Sequence, residues 1–371
     1  MFSSLPKLAD KTFVIAFLVP IVAFGLALIS SFGDWGPITA AYAALGDQKN
    51  LADLTIVAAG VWFGAVALLL LNRPIYRAFE GYVGPLASTA RAKRMRQLWQ
   101  DDYDALTVAY DRAAALAGDA RIEAFTAYRA RLGAFRKLYP SKKARALGTR
   151  FGNVNRAFED YSLKVYGVEA IVFWPRLLAV VPKDFQAVLA DARSQVDGFI
   201  NLSFLALVLG GLETARWLWS LRGLWAPLQA SVLNHSLLIL GWAVVHGLAW
   251  AAFAWALGAF AVARLAYELS LGRCVALGEQ VKSAFDLYLG ALVTQLGYSL
   301  PETADDQAVF WQDLRRSYSY FEPALQDHRL KPPAQPAATQ PPPARGGQPA
   351  DPTDPGDPDA PDPDDPDPDD P

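Results

Sequence analysis

Three long stretches without a charged residue limit what this chain can fold into more than any other feature of its sequence. They cover residues 12–32, 54–71 and 236–263. A helix needs about 20 mostly apolar residues to cross a hydrocarbon core about 30 Å thick, so we expect each stretch to be a transmembrane helix. A fourth stretch, residues 199–219, is apolar until Glu213 and Arg216, which are three residues apart and are expected to pair on one helix face.

No segment alternates in the manner of a β-strand, so the predicted fold class is all-α. We expect a polytopic helical membrane protein with about four transmembrane helices, an α-helical cytoplasmic domain and a disordered Pro/Asp tail. In that tail 15 of the last 41 residues are Pro and ten are Asp, a composition that cannot bury a core. The predicted parts are an N-terminal transmembrane hairpin (residues 1–71), a basic domain (72–197), a C-terminal transmembrane hairpin (198–263), juxtamembrane cytoplasmic helices (264–330) and the acidic Pro-rich tail (331–371).

The distribution of Lys and Arg beside the spans predicts the orientation of the chain. Lys7 and Lys11 precede the first span, whereas the loop of residues 33–53 has one Lys and three Asp. Between residues 72 and 96, directly after the second span, there are six Lys or Arg and one Glu. We therefore expect the N-terminus, the basic domain and the C-terminus to lie in the cytoplasm.

The basic domain contains 21 basic and 13 acidic residues, a net charge of +8. Strong helix formers from Ser88 to Lys137, interrupted at Gly118 and Asp119, predict a helical hairpin. A basic cluster begins this hairpin and consists of Arg91, Lys93, Arg94 and Arg96. Its charge has three interpretations: it sets the topology alone, it attracts anionic lipid, or it binds a phosphorylated ligand or nucleic acid.

A second set of polar residues in the basic domain recurs at three- and four-residue intervals, which places it along one side of a helix. The set consists of Arg150, Asn153, Arg156, Glu159 and Asp160. We treat these residues as candidates for binding a ligand or partner. The apolar run that follows, residues 168–182, is too short and too interrupted to cross a bilayer, so it is expected to be domain core or an interfacial element.

The same region is similar to other proteins. The segment FGNVNRAFEDY at residues 151–161, followed by Tyr166-Gly167 and Trp174-Pro175-Arg176, resembles a block found in uncharacterised bacterial multi-pass membrane proteins. The resemblance covers less than a tenth of the chain and implies a bacterial source and a specific role for the block. Together with the topology, it implies a location in a bacterial inner (plasma) membrane.

Beyond the last span, apolar residues at three- and four-residue spacing predict a long amphipathic helix. The stripe consists of Cys274, Leu277, Val281, Phe285, Tyr288, Leu292 and Leu296. It either packs on the hairpin of residues 88–137 or forms a seam between copies of the chain.

Small residues in two spans provide faces on which helices can approach closely. They are Gly60 and Gly64 in the second span and Gly247, Ala251, Ala254 and Gly258 in the last. These faces pack either within the chain or between subunits of a homo-oligomer. His246, also in the last span, is expected to bond a neighbouring helix, and a pore-lining or pH-sensing role is the alternative.

Sequence motifs of catalysis and of cofactor binding are missing from this chain. It has no Gly-rich phosphate loop, no His-Glu-x-x-His pair and no Gly-x-Ser-x-Gly elbow, and a single Cys excludes Cys-based zinc sites. We therefore predict no catalytic residue, no metal site and no cofactor.

These features together predict a non-enzymatic integral membrane protein. Its cytoplasmic domain is expected to sense a ligand or partner and to control an oligomeric membrane channel or permeability effector. The alternative is a membrane scaffold or accessory subunit that recruits partners through its cytoplasmic domain and acidic tail.

Overall fold

The computed structural model describes residues 10–32, 51–233, 244 and 249–320, and over these residues the secondary structure is all helical. The predicted all-α fold class is confirmed for that part of the chain. The predicted disordered tail, most of the first half of the predicted last span, His246 and Gly247 lie outside the described residues.

Ten helices, numbered α1 to α10 in chain order, run through the described residues. They are α1 Lys11–Phe32, α2 Leu51–Glu80, α3 Thr89–Ala115, α4 Gly118–Leu138, α5 Arg150–Tyr166, α6 Ala170–Val180, α7 Lys183–Ser220, α8 Trp225–Leu233, α9 Trp250–Gln295 and α10 Ala304–Tyr320. Three short 3₁₀ segments, Gly84–Ala87, Lys143–Arg145 and Leu221–Leu224, lie between them.

Four of these helices, α1, α2, α7 and α9, are long and apolar enough to cross a membrane, and we call them the candidate spans. Three of them continue well past their apolar stretch. The predicted domain boundaries at residues 71, 197 and 263 fall inside α2, α7 and α9, respectively. At each of these points a continuous helix, rather than a loop, joins a candidate span to the neighbouring polar part of the chain.

Pro20 distorts α1, because its nitrogen carries no proton to donate to the carbonyl of Ala16 four residues earlier. The helix widens to a π-helix over Val14–Leu18. The Ala16 carbonyl instead accepts a 2.9 Å hydrogen bond from the Nδ2 atom of Asn201 in α7. A side chain from one candidate span therefore completes the backbone bonding of another.

Close backbone approach also joins α7 to its neighbours. A Cβ atom on Gly198 would lie 2.8 Å from the carbonyl oxygen of Ile15, so α1 can pack here only against glycine. On the other side, the hydroxyl of Ser203 donates a 2.9 Å hydrogen bond to the carbonyl of Ala263 in α9. The buried face of α9 at this level consists of alanines: Ala252, Ala256, Ala259, Ala263 and Ala266.

The predicted pair of Glu213 and Arg216 is confirmed, with the carboxylate and guanidinium 3.0 Å apart. Arg216 also donates to the carbonyl of Ser31 at 3.0 Å and lies 5.1 Å from the centre of the Phe32 ring. This charged pair therefore fixes the end of α1 against α7.

The short apolar run after residue 168 belongs to the core. Its helix, α6, buries Phe173 and Leu177 completely. The Phe173 ring packs edge-on against Trp311 of α10, with 5.0 Å between centroids. The core alternative for residues 168–182 is thereby confirmed.

The predicted hairpin is also confirmed, with α3 and α4 on either side of a turn that ends at Gly118. Aromatic pairs hold the two helices together. Tyr110 lies 5.8 Å from Phe125, and Trp99 lies 5.4 Å from Phe135, both edge to face.

The apolar stripe of α9 is buried within the chain, but not against the neighbour that we predicted. Phe285 packs on Trp174 of α6, and Tyr288 packs on Phe185 of α7, with ring centroids 6.0 and 5.6 Å apart. The prediction that the stripe packs on the 88–137 hairpin is therefore wrong. Within the part of the chain that the structure describes, the hairpin pairs its aromatic side chains with each other, and its one ion pair with α9 joins Lys137 and Glu279 at 3.8 Å.

Candidate functional site

Helix α5 carries the polar residues that the sequence singles out, and local signals fix both of its ends. The hydroxyl of Thr149 accepts a 3.0 Å hydrogen bond from the Gly152 amide and caps the first turn. Gly167 ends the helix in the left-handed conformation, with φ of 74°. Gly152 also lets α5 approach the last turn of α2, because a Cβ atom there would overlap the carbonyl oxygen of Glu80.

Two of the five predicted binding residues are buried and hold the loop that precedes α5. Asn153 accepts a 2.7 Å hydrogen bond from the Leu147 amide and donates one of 3.2 Å to the Leu147 carbonyl. Asp160 accepts hydrogen bonds from the amide and the hydroxyl of Ser141 and pairs with Arg145. The polar groups of both side chains are thus used to position the loop.

The other three predicted residues contact different parts of the chain. Arg150 bonds both carboxylate oxygens of Glu268 in α9 at 3.0 Å. Arg156 lies 3.9 Å from Glu159 and 5.6 Å from the centre of the Tyr82 ring. The five residues lie along one helix, as predicted, but they do not converge on one site: two hold the preceding loop, Arg150 bonds α9, and Arg156 pairs with Glu159.

Asn155, which the sequence analysis did not select, links three helices. Its Nδ2 atom donates to Oε1 of Glu80 in α2, and its Oδ1 atom accepts from the thiol of Cys274 in α9, both at 3.1 Å. Glu80 itself ends a polar series on α2, with Asn72 and Tyr76 at four-residue spacing directly after the second apolar stretch. That spacing was the available signal for this site.

Helix α7 adds two charged residues at the same level. Arg193 donates a 3.2 Å hydrogen bond to Asp197, and its guanidinium lies 4.5 Å from the centre of the Tyr76 ring. We call the resulting set the junction network, because it lies where the apolar stretch of α2 ends and before the apolar stretch of α7 begins. It consists of Asn72, Tyr76, Glu80, Asn155, Arg193, Asp197 and Cys274.

Burial governs the protonation of this region. It raises the pKa of Glu80, and the negative charge of nearby Glu159 raises that pKa further. Burial also raises the pKa of Glu159, against the opposing effect of Arg156 and Arg145. Burial raises the pKa of the Cys274 thiol, so this side chain is a neutral hydrogen-bond donor and not a thiolate nucleophile.

The hairpin, α5 and α9 enclose a second candidate site, a cleft of about 710 Å³ that we call the aromatic cleft. Its aromatic lining consists of Trp99, Tyr103, Tyr128, Phe135, Tyr139 and Tyr161. The rings of Trp99 and Tyr103 are stacked, with 4.9 Å between centroids. Aromatic walls with a few polar groups are typical of sites for small organic molecules.

The polar side of the aromatic cleft is centred on Asp286 of α9. The hydroxyls of Tyr161 and Tyr166 both donate to Oδ1 of Asp286 at 2.8 Å. Burial and these hydrogen bonds raise the pKa of both tyrosines, so both remain protonated donors. Lys282 lies 5.5 Å from the centre of the Tyr161 ring. Anionic and cationic groups therefore both line the aromatic cleft, where Lys282 is also paired with Glu279 at 3.1 Å.

The predicted basic cluster lies on the first two turns of α3. Arg91, Lys93, Arg94 and Arg96 are all exposed, and none of them has an ion-pair partner among the described residues. The three interpretations of the cluster, as a topological signal, as a site for anionic lipid, and as a site for a phosphorylated ligand or nucleic acid, stay predictions.

The small residues of the candidate spans differ in their surroundings. A Cβ atom on Gly64 would lie 3.0 Å from the Ile21 side chain of α1, so this glycine lies at a helix contact, whereas Gly60 has open space around it. On α9, Ala251, Ala254 and Gly258 are exposed and lie outside the buried alanine face. The alternative of a contact between subunits therefore stays a prediction for α9.

Within the described part of the chain, no group of three or more His, Cys, Asp or Glu lies close enough together to hold a metal ion. Comparison with protein-family models, with curated proteins and with solved structures finds no match to this chain. The junction network and the aromatic cleft are thus the two candidate functional sites.

Proposed function

We propose that this chain is a non-enzymatic multi-pass protein of a bacterial inner membrane, with both termini in the cytoplasm. In this proposal the basic domain senses a cytosolic ligand or partner, and several copies together form a channel or another permeability effector. One observation carries the proposal: three of the four candidate spans continue without a break into the polar part of the chain.

Continuous helices suit this function because they transmit a tilt or a rotation from one end to the other, whereas a flexible loop would absorb it. Helix α7 has 38 residues and α9 has 46. At 1.5 Å per residue they are about 57 and 69 Å long, which is far more than a bilayer core requires. Asn155 and its partners Glu80 and Cys274 further join α5, α2 and α9 in the polar part of the chain, beyond the ends of the apolar stretches.

The aromatic cleft supports the sensing part of the proposal. Glu279, Lys282 and Asp286 of α9 line it, opposite the aromatic side chains of the hairpin. A ligand between these walls would contact a helix that continues into a candidate span. The exposed basic cluster on α3 is the proposed surface for a phosphorylated ligand, an anionic lipid or a protein partner.

The exposed small residues of α9 support assembly. Ala251, Ala254 and Gly258 present a face on which a second helix can approach closely, and small residues are how helices associate in lipid. The proposal therefore places the conducting path between copies of the chain.

The test uses the full chain, purified and reconstituted in vesicles of phosphatidylethanolamine and phosphatidylglycerol. Ion flux is measured with an entrapped potassium-sensitive dye, with and without the low-mass fraction of the cytosol, and light scattering gives the number of copies in each particle. The variant Tyr103→Ala removes a wall of the aromatic cleft. Tyr320→Ala, at an exposed position at the end of α10, is the matched control.

We expect an oligomer whose ion flux changes on addition of the cytosolic fraction. Tyr103→Ala should weaken that response, and Tyr320→Ala should retain it. A particle of one copy that conducts under no condition would refute the channel. An oligomer without flux would instead favour the scaffold, in which the basic domain and the acidic tail recruit partners.

A further inference from the structure

We infer that a cleft between α2 and α7, separate from the aromatic cleft, binds the phosphate group of an anionic lipid. The cleft has a volume of about 450 Å³. Asn72, Arg73, Tyr76 and Arg77 of α2 line one side, and Arg193 of α7 lines the other. This inference does not depend on the channel, because its test measures lipid binding alone.

The first reason is a pair of buried polar atoms that lack partners. Tyr76 is only 7% exposed, and its hydroxyl has no hydrogen-bond partner among the described residues. The Oδ1 atom of Asn72, one turn away, is also buried without a partner in that part of the chain. An unsatisfied buried polar group destabilises the fold, so two at one cleft indicate a ligand that satisfies them.

The chemistry of these atoms restricts the ligand. The Tyr76 hydroxyl is free to donate, which suits a phosphate oxygen, and the Asn72 Oδ1 atom is free to accept, which suits a hydroxyl group. A phosphate diester with a hydroxyl-bearing headgroup supplies both. Phosphatidylglycerol is a lipid of this kind.

Charge at the cleft favours an anion. Three Arg line it, and the one acidic residue in its lining is Glu80, whose Oε1 atom is bonded by Asn155. Arg193 is paired with Asp197, but Arg73 and Arg77 form no ion pair within the described part of the chain. Two guanidinium groups therefore remain available to a phosphate, for which their forked geometry is suited.

The position of the cleft makes a lipid the natural source of that phosphate. On α2 the apolar stretch ends at Leu71, directly before the first arginine of the cleft, and Leu69 lines the cleft on the apolar side. On α7 the apolar stretch begins six residues after Arg193. A headgroup in the cleft would leave its acyl chains beside the exposed leucines Leu69, Leu70 and Leu71 of α2.

The experiment is native mass spectrometry of the full chain in detergent, titrated with phosphatidylglycerol, with phosphatidylcholine and with soluble glycerol 3-phosphate. We expect saturable binding of phosphatidylglycerol and no comparable binding of the other two. The double variant Arg73→Gln/Arg77→Gln should weaken lipid binding about 25-fold, at about a factor of five for each of the two charges.

Tyr76→Phe separates binding from folding. The hydroxyl has no partner among the described residues, so its removal should leave the melting temperature unchanged or raised, yet weaken lipid binding about tenfold. The double variant Arg129→Gln/Arg131→Gln removes the same charge from exposed positions on α4 and should bind as the wild type does.

Equal lipid binding by the wild type, Tyr76→Phe and Arg73→Gln/Arg77→Gln would overturn the inference. So would equal binding of phosphatidylcholine, which carries no net charge. Binding of glycerol 3-phosphate as tight as that of the lipid would show that the cleft takes a soluble phosphate compound, and would overturn the assignment to a membrane lipid.

Discussion

The side chain of Asn201 donates a hydrogen bond to the carbonyl of Ala16, which Pro20 cannot bond. The proline cannot donate to the Ala16 carbonyl from within α1, and the Asn201 side chain in α7 donates to it instead, at 2.9 Å. The side chain is fully buried, and its partner lies 185 residues away in the sequence. An irregularity in one candidate span is therefore matched by a polar residue in another.

We predict that Asn201→Leu destabilises the protein by about 1 kcal/mol, a typical value for a hydrogen bond between membrane helices. In the background of Pro20→Ala the same substitution should have little effect, because an alanine in place of the proline restores an amide that can bond the Ala16 carbonyl. Reversible unfolding in mixed micelles gives the free energy of unfolding of the wild type, the two single variants and the double variant. An equal effect of Asn201→Leu in both backgrounds would show that the two residues are not coupled.

Gly152→Ala tests the approach of α5 to α2. The added Cβ would overlap the carbonyl oxygen of Glu80, so α5 must move and the free energy of unfolding should fall by about 1–3 kcal/mol. Gly133→Ala in α4 is the matched control, since nothing lies within 4 Å of its added Cβ. There the substitution should stabilise the helix by about 0.5–1 kcal/mol. Two unfolding curves with the same shift would contradict the close contact.

The raised pKa of Glu80 predicts a pH-dependent stability. Burial raises this pKa above its ordinary value of about 4.5, so the folded state holds the proton more tightly than the unfolded state. The protonation of Glu80 therefore adds to the stability of the folded state. This contribution is complete below pH 4.5 and is lost as the pH rises through the folded-state pKa of Glu80.

The variant Glu80→Gln, which keeps an acceptor for Asn155, should therefore match the wild type at about pH 4 and be more stable than the wild type at about pH 7.5. Unfolding in detergent at the two pH values gives the comparison. Glu123→Gln, at an exposed position of α4, controls for the chemical change. A Glu80→Gln variant less stable than the wild type at the higher pH would contradict the effect of burial.

Cys274 should resist thiol reagents in the native protein. Its thiol is fully buried, donates to Asn155 at 3.1 Å, and has its pKa raised by burial. We expect colour development with a disulfide reagent only at the rate of unfolding, and complete reaction in denaturant. Rapid modification of the folded protein would mean that the junction network opens.

The sequence predicted the four long apolar helices and the hairpin because each depends on a local pattern, and it left the core and interfacial alternatives open for residues 168–182. A charge-free run of about 20 residues has few other structures available to it. The pairing of Glu213 with Arg216 was predictable for the same reason, as both residues lie on one helix turn.

The candidate site was less predictable because its contacts join distant residues. Asn155 lies beside the selected residues, but its partners Glu80 and Cys274 are 75 and 119 residues away. No spacing rule indicates which of several polar residues on a helix will meet such partners. Neither alternative for the stripe of α9 named the helices that cover it, for the same reason, since its periodicity defines a buried face and not the helix that packs on it.

Coupling between the basic domain and the membrane requires α7 to be one unbroken helix from that domain into its candidate span. Val188 and Leu212 are 49% and 50% exposed and lie on either side of the predicted boundary at residue 197. Spin labels at these two positions, with Cys274 left unlabelled in the core, allow their separation to be measured by pulsed electron resonance in vesicles. A continuous helix predicts a single narrow distribution near about 36 Å, from 24 residues at 1.5 Å each. A broad distribution, or one centred at a much shorter distance, would show a break at the junction and contradict the proposed coupling.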